Sequence, residues 1–171
     1  MWTGADADGA GPGQWVLLLY RLPREPSTPR IALWRRLRQL GVAQLGDGVV
    51  ALPADARTRE QLDWVADMVV EAAGTARIWL SRPGTHAQEL EVAAGMTAAR
   101  AAEYLEVTAL IEDLASEPEA VRRRGVRRLR AQWRAIDRRD FFPPPERDRA
   151  RRALDELAAS ITEPAPARES R

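Results

Sequence analysis

The chain has 171 residues, of which 45% are hydrophobic and 30% charged, so it can bury a core and is not disordered throughout. It contains no cysteine and one histidine, which excludes disulfides, thiol nucleophiles, thiolate zinc sites and multi-histidine metal cages. The net charge of +1 hides an asymmetry: residues 1–120 hold 11 arginines against 17 acidic residues, and residues 121–171 hold 15 against eight, with no lysine anywhere.

Residues 1–13 are small, acidic and glycine-rich, lacking the basic start and apolar centre of a signal peptide, and read as a disordered N-terminus. With no run long enough to cross a bilayer, the expected location is the cytoplasm, away from membranes. Gln14 to Tyr20 is a short continuous apolar run, the pattern of a strand central in its sheet. Three prolines between Leu22 and Pro29 impose a loop, and Ser27-Thr28-Pro29 supplies a hydroxyl cap and a proline for the first turn of a helix. Leu33, Trp34, Leu37 and Leu40 recur at helical spacing before Gly41 ends it.

Val42–Leu45 and Val49–Leu52 flank Gly46-Asp47-Gly48, a tight-turn sequence that predicts a β-hairpin. A second helix is expected from Thr58, as its cap, to Ala73, with Leu62, Val65 and Val69 on one face and Gly74 at its end. Ala76–Leu80 closes the series as a strand. The order β-α-β-β-α-β within residues 14–83 predicts an α+β class protein with a ferredoxin-like βαββαβ domain, followed by a three-helix extension over 84–161.

In that extension, residues 84–96 read as a polar linker containing a solvated His86. A helix is expected over 97–115, with Tyr104, Val107, Ile111 and Leu114 at 3-4-3 spacing among acidic neighbours. A further helix over 119–138 carries Val126, Leu129, Trp133 and Ile136 on one stripe and Arg123, Arg127, Arg130, Arg134 and Arg138 on another. Phe141-Phe142 followed by three prolines makes an anchor and a break. A last helix points Leu154, Leu157 and Ile161 inward, and residues 162–171 read as a frayed tail.

The words Trp15–Arg30, Leu33-Trp-Arg-Arg-Leu37, Gln44-Leu-Gly-Asp-Gly48, Ala51-Leu-Pro53 and Arg139-Asp-Phe-Phe-Pro143, in this order, resemble the N-terminal domain of ChrB proteins. The resemblance spans about residues 14–160. It implies a regulator associated with bacterial chromate resistance. Larger members carry a second, C-terminal domain that would begin beyond this chain, so a separate protein bearing that domain is an expected partner. The first strand, the short helix and the hairpin are also similar to the ferredoxin-like domain of PaaX-type repressors and of the small CRISPR-associated adaptation nuclease. In that nuclease an aspartate follows the strand aromatic; here Arg21 follows Tyr20, and a guanidinium does not ligate a hard cation. What this similarity implies is a scaffold that forms homodimers and meets nucleic acid.

Two binding functions follow, and a protein-interaction module that does not bind DNA stands as a further alternative. From Arg122 to Arg152 there are 13 arginines and four acidic residues, a local balance of +9, and the stripe Arg123, Arg127, Arg130, Arg134 and Arg138 is the expected DNA-binding surface. The alternative for that stripe is neutralisation by the acidic helix before it. Arg21, Arg24, Arg30 and Arg35 bracket the loop after the first strand and are the expected oxyanion-binding set, for chromate or a sulfate-like ion. Their alternative is solvation or pairing with Glu25. The sequence has no phosphate-binding glycine loop, no nucleophile elbow and no catalytic set around its one histidine. The expected protein is non-enzymatic, with no cofactor and no metal.

Overall fold

The computed structural model describes residues 13–162; the expectations for the N-terminus and the tail lie outside them, apart from Gly13 and Thr162. The elements are β1 (Trp15–Arg21), α1 (Thr28–Leu40), β2 (Ala43–Gly46), β3 (Val49–Pro53), α2 (Ala56–Glu71), β4 (Thr75–Ser81), α3 (His86–Ala115), α4 (Glu119–Asp137) and α5 (Pro145–Thr162). They group into two compact units divided between Met96 and Thr97, within α3.

In the first unit the four strands form one antiparallel sheet in the order β2-β3-β1-β4. This is the strand order of a ferredoxin-like βαββαβ domain, with both expected helices in place. Alternation assigns the faces. Val16, Leu18, Val50 and Leu52 are fully buried on the side covered by the helices, where α2 lies against β1 and β4 and packs on α1. The helices contribute Leu33, Leu37, Leu40, Leu62, Val65 and Val69 to the same core.

Local chemistry explains where the elements end. Gly41 adopts φ 70° and closes α1 through its backbone N–H to Arg38 and Leu37. In the hairpin Gly48 takes the left-handed conformation at φ 73°, and a bulge between Gln44 and Gly46 accompanies it. A β-carbon on Gly48 would strike the Tyr20 carbonyl, so glycine is required there twice over.

Three expectations are corrected. Thr58 is not the cap of α2 but its third residue: Asp55 is the cap, accepting from the Thr58 N–H at 2.6 Å while its own N–H donates to Thr58 Oγ1 at 2.9 Å. That reciprocal box starts the helix two residues earlier. Trp34, expected on the packed stripe of α1, is 57% exposed, its ring covered by the Arg38 guanidinium at 4.8 Å. Residues 86–96 are not a linker, because α3 starts at His86, with Thr85 Oγ1 accepting from the Gln88 N–H at 3.2 Å. Glu89 is buried in this first turn. It accepts from Gly13 N at 2.8 Å and Trp15 Nε1 at 3.2 Å, and lies 3.3 Å from His86 Nδ1.

The second unit is a three-helix arrangement around Tyr104, Val107, Ile111 and Leu114 of α3, Val126, Leu129 and Ile136 of α4, and Ala150, Leu154 and Leu157 of α5. Every apolar position expected from the 3-4-3 spacings lies in this cluster or packs against it. Gly125 lets α4 approach α3 closely, since a β-carbon there would overlap the Leu114 side chain. Contacts from Arg122 to Ser160, Arg130 to Asp155 and Trp133 to Arg147 show that α4 and α5 run antiparallel.

Candidate nucleic-acid interface

The arginine stripe arises because the apolar and basic residues of α4 each repeat at about 3.6-residue spacing but out of phase. Burying Val126, Leu129 and Ile136 turns the arginines outward. Arg123, Arg127, Arg134 and Arg138 are exposed, and Arg130 is half-buried. Two clefts lie along the α4–α5 flank. One, of about 300 Å³, is lined by Arg123, Val126, Arg127, Arg130, Ala158 and Ile161. The other, of about 480 Å³, adjoins it at Arg130 and is lined by Arg130, Trp133, Arg134, Asp137, Arg147, Arg151, Leu154 and Asp155. Four of the five expected α4 arginines therefore line one surface, and α5 adds Arg147 and Arg151, which sequence reasoning had not singled out. Arg138, the C-cap residue of α4, lines neither cleft.

The charge on this surface is only partly compensated. Arg123 pairs with Glu119 at 2.6 Å and Arg130 with Asp155 at 3.6 Å, both among exposed side chains where such pairs hold weakly. Arg147 is held more firmly. It donates to Asp137 Oδ1 at 2.7 Å and lies over the Trp133 ring at 5.5 Å, while Trp133 Nε1 donates to the Arg147 carbonyl at 3.2 Å. The hydrogen bond to Asp137 raises the guanidinium's pKa further while the carboxylate offsets its charge, so Arg147 lines the cleft as a paired cation. Among the described residues, Arg127, Arg134 and Arg151 have no carboxylate within 4 Å.

The acidic helix does not neutralise the stripe. Glu106, Glu112 and Asp113 of α3 are exposed and, among the described residues, make no ion pair with α4. Glu103 does reach the second unit's connection, but its partners are Arg100 at 2.8 Å and Arg139 at 2.7 Å, neither of them in the stripe. Around this triad Tyr104 donates its hydroxyl to Asp140 Oδ2 at 3.0 Å, and Thr97 donates to the Phe142 carbonyl at 3.1 Å. Burial, reinforced by the Asp140 charge, pushes the Tyr104 phenol well above its usual range. Burial likewise raises the Asp140 carboxyl, against the lowering pull of Tyr104, Arg147 and Arg100. The Arg139-Asp-Phe-Phe segment thus pins the α4–α5 connection to α3, and so fixes how α4 presents its outer face.

The arginines of the β1–α1 region are arranged differently. Arg21, Arg24, Arg30 and Arg35 are all exposed, with Arg21 at the end of β1 opposite Thr75. Arg30 and Arg35 are five residues apart on α1, about 140° around the helix, and do not share a face. The cleft beside α1, of about 300 Å³, is lined by apolar residues of α1 and α2, Leu22 and Glu71, and by none of the four. Among the described residues there is no group of three or more His, Cys, Asp or Glu side chains placed to hold a metal ion. No helix among them is long and apolar enough to cross a membrane.

The chain is an α+β protein: a ferredoxin-like sheet unit followed in sequence by a three-helix unit with a basic flank. The family model for the N-terminal region of protein ChrB matches residues 30–124, more than half of the sequence. The chain belongs to that family. It is also similar to protein ChrB of Cupriavidus metallidurans, with 28% identity over 151 residues, covering 86% of this chain and 46% of that protein. The chain therefore spans about half the length of this relative. No solved structure matches it.

Proposed function

We propose that this chain is a regulatory protein of bacterial chromate resistance that acts in the cytoplasm by binding, without turnover, and that its α4–α5 flank holds the phosphate backbone of DNA. One observation carries the reading: six arginines, Arg123, Arg127, Arg130, Arg134, Arg147 and Arg151, line two adjoining clefts on one side of a packed helical unit. From Arg123 to Arg134 the stripe extends about 16 Å, enough to follow several phosphates of one strand. Guanidinium groups on packed helices keep their spacing without the ordering cost of a flexible tail. Membership of the ChrB N-terminal family supports the regulatory role. A second copy of the chain and a separate protein carrying the family's C-terminal domain are the proposed protein partners.

The β1–α1 arginines have a weaker claim to a ligand, because α1 turns Arg30 and Arg35 to different sides. The deciding experiment compares the native chain with the double variant Arg127→Glu/Arg134→Glu in a gel-shift assay on DNA upstream of its own gene. Both positions are solvent-facing, so the fold survives. Retarded DNA with the native chain and at least a roughly hundredfold weaker complex with the variant is the expected result. Equal binding by the two would remove this surface from consideration.

A further inference from the structure

Among the described residues the sheet has two edges, β2 and β4, and they are treated very differently. Exposed edges are ordinarily blunted by shortness, bulges or charge, because their unpaired N–H and C=O groups recruit another strand. β2 follows that rule: it has four residues and a register shift between Gln44 and Gly46, and Gln44 Nε2 donates to the Gly46 carbonyl at 2.5 Å. β4 does not. It has seven residues in unbroken register with β1, from Trp15↔Ser81 to Arg21↔Thr75, with no bulge, no proline and a single charge, Arg77.

Apolar side chains stand exposed on both sides of this edge. Trp79 is 55% exposed on the face opposite the helices, and Leu80 is 51% exposed on the helix-covered face. Val70, 60% exposed, sits on the flank of α2 turned away from α1, since Met68 and Ala72 on the other flank line the cleft with α1.

From these features we infer that β4 is the docking edge for a second copy of this chain, the two β4 strands pairing antiparallel about a two-fold axis at Ile78. The inference rests on the dimeric reading above and is independent of DNA binding. The strand's own sequence selects the register. A two-fold axis normal to the sheet keeps the helix-covered faces on one side, which requires opposed residues of the same parity. Centring on Ile78 pairs all seven residues and sets each Arg77 opposite Trp79 of the other copy, giving two cross-strand cation–aromatic pairs. Centring on Arg77 would oppose two guanidiniums. Centring on Trp79 would leave Thr75 and Ala76 without partners. Leu80 falls opposite Ala76 of the second copy, extending the apolar layer beneath the helices.

The absence of cysteine makes a direct test available. In an Ile78→Cys variant of the full chain, the two introduced thiols would lie on directly opposed residues. Their Cα atoms would be about 4.5–5.5 Å apart, within disulfide reach. In a Thr75→Cys variant the two thiols would lie about 20 Å apart along the strands. Under mild oxidation Ile78→Cys should give a covalent dimer on non-reducing gels and Thr75→Cys should not. Light scattering of the native chain should show a dimer, and Trp79→Glu should raise its dissociation constant at least about tenfold with an unchanged circular dichroism spectrum. A native dimer that is indifferent to Trp79→Glu and does not cross-link through residue 78 would overturn the β4 assignment while leaving dimerisation intact. A native chain that is monomeric at high micromolar concentration would overturn both.

Discussion

Replacing Glu103 with glutamine should cost this protein far more than its position on a helix surface suggests. The carboxylate bridges two guanidiniums, with Oε2 2.8 Å from Arg100 Nε and Oε1 2.7 Å from Arg139 Nη2. The three side chains are only 21%, 10% and 19% exposed, respectively, so the charges are largely removed from water. The contact to Arg100 is close but not aligned as a hydrogen bond, so its attraction is chiefly between charges. Taking away the shared anion leaves two buried cations facing each other. Breaking a buried pair costs about 3–5 kcal/mol, and the residual exposure of Glu103 and Arg139 brings the expected loss to about 2–4 kcal/mol. Glu119→Gln is the internal control. Its pair with Arg123 is just as short, at 2.6 Å, but 64% and 56% exposed, and its loss should stay within about 0.5 kcal/mol. Urea unfolding followed through the indole N–H resonance of Trp133, the single tryptophan after Met96, reports on this unit alone. A loss for Glu103→Gln no larger than that for Glu119→Gln would show that the two guanidiniums do not depend on the shared carboxylate.

Two further outcomes follow from the same unit. Because burial holds the Asp140 carboxyl above the usual carboxylate range, the folded chain keeps this proton more readily than the unfolded one. Its stabilising contribution is full below the unfolded pKa of about 3.9 and is lost as pH rises through the higher folded value. Asp140→Asn should therefore gain stability relative to the native chain as pH rises across that window; a difference in unfolding free energy that does not change with pH would contradict this. Gly125→Ala should destabilise by about 1 kcal/mol: helix propensity gains about 1 kcal/mol, but the new methyl meets Leu114 Cδ1 at 2.6 Å and Cγ at 3.0 Å, an overpacking worth about 1–3 kcal/mol. In a Leu114→Ala background the same change should stabilise, and thermal unfolding of the four chains shows whether the sign reverses.

The front unit was legible because its signals are local. A continuous apolar run, Asp47-Gly48 between apolar pairs, and two helical stripes fix element type and order without reference to distant residues. The start of α3 was missed although Thr85-His-Ala-Gln88 has the spacing of a capping box. Gly95 and the lack of a continuous apolar stripe over 86–96 concealed it. Trp34 was misplaced because spacing marks candidates for burial without deciding which edge of a stripe faces solvent.

The basic stripe on α4 was readable for the same local reason. Its completion by Arg147 and Arg151 was not, because that depends on the antiparallel packing of α5. Nor was the Arg100–Glu103–Arg139 cluster, whose outer members are 39 positions apart and meet only when the α4–α5 connection folds back on α3. The β1–α1 arginines illustrate the converse. They are close in sequence, yet the turn of α1 separates Arg30 from Arg35.

Whether the α4–α5 flank holds DNA through its phosphates is read from the salt dependence of binding. Fluorescence anisotropy with a labelled duplex across a salt series gives the slope of log K against log salt, near −0.9 for each phosphate neutralised. The native chain should show a steep slope, and Arg127→Ala and Arg134→Ala should each reduce its magnitude by about 1 while weakening binding uniformly across sequences. No binding at low salt, or a slope that both substitutions leave unchanged, would rule out the α4–α5 flank as the phosphate-binding surface.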